Sequence, residues 1–286
     1  MEDLVTTILN IQASRYVSAA GVVILLYDHL LTFGDEVELI WQAEWKFPKF
    51  LFLLIRYIVV ISVLVHTYQM SGLTRSVQLP DEFVLAIITI AISNSIVLLH
   101  MWNLWDRKIW FILCSLVLFI VTQLANTATV IFGMTKIIPS TYFSHELRLC
   151  VISNKSSIQV LWAPGLVFEI FMLIALLWNA LARPRAGEDE LRDILIRDGL
   201  VFFTTLTMLR LANLILAIAA PLSLIFLVVF FVWCTTTVTV TRFMLNLRRN
   251  TVEKEKLRDL ASRRGPILEL QRLDQECQAG GDRVHR

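Results

Sequence analysis

The sequence predicts an all-α integral membrane protein: a seven-helix bundle with its N-terminus outside and its C-terminus in the cytoplasm. Three observations lead there. The 286 residues are 56% hydrophobic, with a mean hydropathy of +0.66, well above the mix of a water-soluble domain. Seven apolar stretches each reach the roughly 20 residues needed to cross a hydrocarbon core ~30 Å thick. Basic residues gather in alternate connecting segments, as the positive-inside rule requires.

In chain order the spans are Ile11–Phe33, Lys49–Met70, Glu82–Trp105, Ile109–Gly133, Val160–Leu181, Ile196–Ala219 and Leu222–Leu247. In lipid the backbone must satisfy its own hydrogen bonds, so these segments are helices. The ten-residue alternation of a membrane strand is absent. The first span carries Asp28 and His29, has no basic n-region and no small-residue cleavage site, and reads as a retained signal-anchor. What remains is short loops, one 26-residue loop (Met134–Gln159) and the tail 248–286. Residues 1–247 therefore form one transmembrane domain, with no room for a second domain of ordinary size.

Orientation follows from charge. With the N-terminus outside, the cytoplasmic segments hold Lys46, Lys49, Arg107, Lys108, Arg183, Arg185, Arg192, Arg197 and a tail that opens with Arg248 and Arg249. The outer segments hold only Arg15, Arg75, Lys136, Arg148 and Lys155. Seven of the eight Trp residues fall near predicted helix ends, where amphipathic rings sit at the interface. The sole glycosylation sequon, Asn154-Lys155-Ser156, lies in the loop placed outside, although only a few residues from the fifth span. The plasma membrane is the expected location.

The first cytoplasmic loop has a pattern of its own. Val37, Ile40, Trp41 and Trp45 recur at helical spacing, with Asp35, Glu38 and Gln42 turned away. Such a helix either lies in the headgroup layer as padding between two spans or offers Asp35–Trp45 as an acidic docking surface for a cytoplasmic partner. Around it stand Tyr27-Asp28-His29-Leu30-Leu31-Thr32-Phe33, Glu36-Val37-Glu38-Leu39-Ile40-Trp41 and Leu51-Phe52-Leu53-Leu54-Ile55-Arg56-Tyr57. This run resembles the N-terminal signature of a large family of basidiomycete membrane proteins catalogued only as a domain of unknown function. Arg197-Asp198-Gly199 and Arg242-Phe243-Met244-Leu245-Asn246-Leu247-Arg248 are similar to later parts of such chains. The family usually has Asn before the Arg-Tyr pair, where this chain has Ile55. The resemblance implies a fungal seven-helix membrane protein and no activity.

Ionisable residues inside spans are costly and mark functional candidates. Asp28 and Arg56 both lie roughly 8–11 Å from the cytoplasmic side at 1.5 Å per residue, so an ion pair between the first two helices is expected. Glu169 and Arg210 match at about 13–14 Å from the outer surface, near the midplane. Asn213 stands one turn from Arg210, and Asn94, Gln123 and Asn126 add amides at middle to outer depth. These groups either line an outward-opening pocket or merely glue helices together.

Catalytic and cofactor motifs are missing from the sequence. The seventh span has no Lys for a retinal Schiff base. The five His and four Cys residues are scattered without metal-ligand spacing. There is no Gly-rich phosphate loop, no nucleophile–base motif, no rhodopsin-like receptor pattern and no internal repeat. The expectation is a non-enzymatic protein without cofactor or nucleic-acid partner. Its partners would be the bilayer, an unidentified ligand and a cytoplasmic protein at Asp35–Trp45 and the basic tail. Three functions stay open: a receptor-like protein sensing a small ligand from outside, a small-solute transporter or channel, and a non-catalytic membrane scaffold. The tail is expected to be disordered or peripherally helical, with Asn250–Arg264 as a basic surface helix.

Overall fold

The computed structural model describes residues 4–70, 79–144, 149–152, 162–182, 190–219 and 229–284. Its elements in order are α1 (Leu4–Leu31), α2 (Phe33–Glu36), a π-helical turn (Val37–Trp41), α3 (Phe47–Met70), α4 (Leu79–Leu104), α5 (Ile109–Ser140), β1 (Thr141–Ser144), β2 (Leu149–Ile152), α6 (Ala163–Ala182), α7 (Glu190–Ala219) and α8 (Val229–Val284). Among the described residues six helices, α1 and α3 to α7, are long and apolar enough to cross a membrane. They mark an integral membrane protein in a lipid environment. The first part of the seventh predicted span, residues 222–228, lies outside the described residues; its remainder opens α8.

The bundle buries one stripe of each helix and leaves the other to lipid. On α3 the buried residues after Lys49 are Leu51, Phe52, Ile55, Arg56, Val59, Ser62, Val63 and His66, a three-and-four spacing. Met101, Phe168, Met172, Leu176, Phe203, Cys234 and Val240 continue the same core. Large side chains on the opposite faces, such as Leu113, Val117, Ile174 and Leu181, are exposed, which suits contact with acyl chains. The opening of α8 carries Thr235, Thr237, Thr239 and Thr241. Each hydroxyl donates to the carbonyl four residues back, at 2.8–3.0 Å, so none needs water. α8 packs against α1, α3 and α7. It approaches α1 closely at Gly21, where a Cβ would stand 3.0 Å from the Phe231 Cα; small residues permit such crossings.

Two features depart from the sequence reading and a third extends it. α5 continues past Gly133 to Ser140, one residue beyond Pro139. The loop that follows contains a short antiparallel hairpin, pairing Thr141 with Ile152 and Ser144 with Leu149; its Thr, Tyr, Phe, Val and Ile content favours strands. A third feature is an extension and not a departure: of the two states expected for the tail, disordered or peripherally helical, its described length is helical. α8 runs unbroken to Val284, through a segment rich in Glu, Lys, Arg, Leu and Gln, all good helix formers. Between α4 and α5 the turn is tight, and Asp106 and Arg107 both adopt positive φ, 51° and 54°.

Candidate functional site

The most elaborate polar constellation sits where the α1–α3 loop meets α3 and α8. Asp28, Thr32 and Glu36 are spaced four apart and so share one stripe running from α1 into α2. The backbone N–H and the hydroxyl of Thr32 both donate to the Asp28 carbonyl, at 3.0 and 2.7 Å, which carries the stripe across the break between α1 and α2. Glu36 is fully buried. The turn that follows is wound as a π-helix, a form often found at functional positions.

Each carboxylate on the stripe meets a different arginine. Arg56 Nε lies 2.5 Å from Glu36 Oε2, with both side chains buried. Glu36 Oε1 also accepts from the Tyr57 hydroxyl at 2.9 Å and from Trp41 Nε1 at 3.1 Å. Arg56 Nη2 donates to Thr32 Oγ1 at 2.9 Å and to the His29 carbonyl at 3.1 Å. Asp28 instead forms an ion pair with Arg242 of α8. The expected Asp28–Arg56 pair is therefore replaced by two pairs. Helical rise predicts depth but not the direction a side chain faces, and Glu36 lies beyond the first predicted span, which ends at Phe33. The stripe at 28, 32 and 36 was the available signal.

The loop is tied down from both sides. Lys49 Nζ donates to the carbonyls of Trp41 and Ala43 at 2.9 and 2.7 Å, and lies 4.5 Å from the centroid of the Trp45 ring. Arg249 Nη2 reaches Asp35 Oδ2 at 2.6 Å, and Arg248 Nε donates to the Leu39 carbonyl at 3.3 Å. At the rim Lys46 contacts Glu44 at 2.9 Å. That hydrogen bond, with the Lys46 charge, holds the Glu44 carboxyl below its ordinary value. The face expected to unite Val37, Ile40, Trp41 and Trp45 does not form. Leu39 and Ile40 are buried, while Trp41 and Trp45 are 51% and 76% exposed. The π-turn changes the angular spacing, so an α-helical periodicity misassigns the faces.

Beside this cluster lies a cavity of about 520 Å³, walled by the loop, the start of α3, α4 from Ile96 to Asn103 and α8 from Met244 to Glu255.

The midplane candidates are also brought together. Arg210 Nε is 2.5 Å from Glu169 Oε1, with both residues buried. Gly165, one turn before Glu169, makes room for the guanidinium: a Cβ there would stand 2.2 Å from Arg210 Nη1. Asn213 is buried one turn along α7. Gln123 Oε1 accepts from Asn94 Nδ2 and Asn126 Nδ2, both at 3.3 Å, so those amides bond to one another. Asn154 lies outside the described residues. Among the described residues no group of three His, Cys, Asp or Glu is placed to hold a metal ion.

Residues 16–61 match the model of a family of unknown function, DUF6533. The match runs from α1 into α3 and so includes Asp28, Thr32, Glu36 and Arg56. No curated protein and no solved structure matches the chain.

Proposed function

We propose that the chain is a seven-span, receptor-like membrane protein whose coupling face is the end where the α1–α3 loop meets α8. The observation that carries this reading is the two ionic ties on one helical stripe, the buried Glu36–Arg56 pair and the pair of buried Asp28 with the half-exposed Arg242. They bind the first helix, the loop and the last helix into one unit, so a shift of any one moves the others. The seventh span would comprise Leu222–Leu247. Its threonine ladder and the contact of Arg242 with Asp28 support placing it among the other helices. The positive-inside pattern supports an outer N-terminus and a cytoplasmic tail. On that orientation the exposed Glu38, Trp41 and Trp45, with the basic helix beyond Arg249, are the surface offered to a cytoplasmic partner. A fungal multi-pass family and a plasma-membrane location belong to the same proposal. Asn94, Gln123, Asn126 and Asn213 would face the ligand side.

Transport through the bundle is the weaker alternative, because Glu169 and Arg210 neutralise each other instead of facing an aqueous path. A scaffold would keep the same ion pairs but respond to nothing outside. The test uses the full chain in two preparations: intact cells expressing it with a protease-sensitive reporter fused after Arg286, and proteoliposomes in which it carries an environment-sensitive dye at Leu257. In intact cells the reporter should be protected from external protease. Small molecules screened from outside should yield one that shifts the dye without entering the vesicle. A cleaved reporter overturns the orientation; a solute that accumulates inside overturns the receptor reading in favour of transport.

A further inference from the structure

We infer that the cavity between the α1–α3 loop, α4 and α8 binds the phosphate headgroup of a membrane amphiphile. Its walls grade from apolar to charged along a common direction. On α8 Met244 and Leu247 give way to Arg248 and then Glu255, a rise of about 16 Å over eleven residues. On α4 Leu99 gives way to Asn103. A ligand filling this space meets apolar side chains at one end and charge at the other.

The charged end carries three cations, Lys46, Lys49 and Arg248, against two carboxylates, Glu44 and Glu255. Lys49 is buried and lines the cavity, yet its ammonium is held by two main-chain carbonyls. Arg248, also in the wall, is held by the Leu39 carbonyl. Among the described residues neither cation has a carboxylate within 4.0 Å. Lysines are seldom so buried unless paired, and a buried charge without a counter-ion is costly. At the rim Glu44 pairs with Lys46 and also feels the charge of Arg248, so with Glu255 counted the cavity keeps one cation in excess. An anion entering the cavity would supply the missing charge. The volume of about 520 Å³ suits a headgroup and the first carbons of its chains, not a bare ion. The cavity also opens at the end of the bundle assigned to the anionic cytoplasmic leaflet.

The experiment uses the full chain in phosphatidylcholine nanodiscs, titrated with dihexanoyl phosphatidic acid, dihexanoyl phosphatidylcholine or inorganic phosphate and followed by thermal shift. The phosphatidic acid should bind saturably, about tenfold or more tighter than either comparison. Arg248→Gln should weaken it about tenfold by removing a charge-assisted contact. Leu99→Trp, which fills the apolar end, should weaken the lipid and leave inorganic phosphate unchanged. Glu255→Lys changes an exposed residue at the mouth, so it tests the site even if Arg248→Gln fails to fold; it should tighten binding. Inorganic phosphate binding as tightly as the lipid would reassign the cavity to a soluble phosphate. Absence of saturable lipid binding, or a lipid affinity unmoved by Leu99→Trp and Glu255→Lys, would overturn the proposal.

Discussion

The Glu36–Arg56 pair permits a quantitative forecast. Both side chains are buried and 2.5 Å apart, so removing either charge strands the other away from water. Breaking a buried pair by deleting one partner costs about 3–5 kcal/mol. Arg56→Met also forfeits the bonds to Thr32 and His29, each worth about 1 kcal/mol net. Its total is therefore at the upper end, about 5 kcal/mol. Glu36→Gln keeps an oxygen for Tyr57 and Trp41 and should cost less, about 3 kcal/mol. The double variant leaves no stranded charge. Its loss should fall short of the sum of the singles by at least ~2 kcal/mol, the range expected for groups in direct contact. Reversible unfolding in mixed micelles, read by tryptophan fluorescence, supplies the three values. Additivity within about 0.5 kcal/mol would show that the two charges do not depend on one another and would refute the reasoning.

Three further outcomes are expected. Gly165→Ala would drive a methyl group onto Arg210 Nη1, 2.2 Å from the ideal Cβ position; it should cost about 1–3 kcal/mol, and the loss should vanish when Glu169 and Arg210 are both leucine. Gly21→Val should lower thermal stability by a similar ~1–3 kcal/mol, because the obstacle is the Phe231 backbone and α1 must back away from α8; an unchanged melting point would contradict the close crossing. Arg107→Gly should stabilise by about 1 kcal/mol, since Arg107 has φ 54° and glycine accepts that region without a Cβ penalty; a lower melting temperature would count against a strained turn.

Membrane helices were legible because lipid imposes a crude demand, twenty apolar residues in a row, and the sequence meets it openly. The depth match of Glu169 with Arg210 was legible for the same reason: both lie in uninterrupted apolar runs, where counting residues measures height. Counting failed around the first loop. There the chain passes from α-helix to π-turn and into a short non-helical link, so height and azimuth both drift. Glu36 looked like one member of an acidic run and proved to be its buried member. Arg242 looked like the end of a span, yet it reaches Asp28 near the other terminus. The hairpin at Thr141–Ile152 is a local preference of eight residues inside what read as an ordinary loop.

The tie between Asp28 and Arg242 spans 214 positions of sequence, and that separation bears on how the protein is made. A ribosome adding about 5–20 residues per second needs about 10–40 s to travel from one to the other. During that interval the first helix has to reside at the translocon or in the bilayer with a carboxylate whose counter-ion has not been synthesised. The late arrival of Arg242 then closes the N-terminal helix against the C-terminal one, and Arg248 and Arg249 follow to reach Leu39 and Asp35. Chains stalled or truncated before position 242 would keep Asp28 in the membrane without that counter-ion.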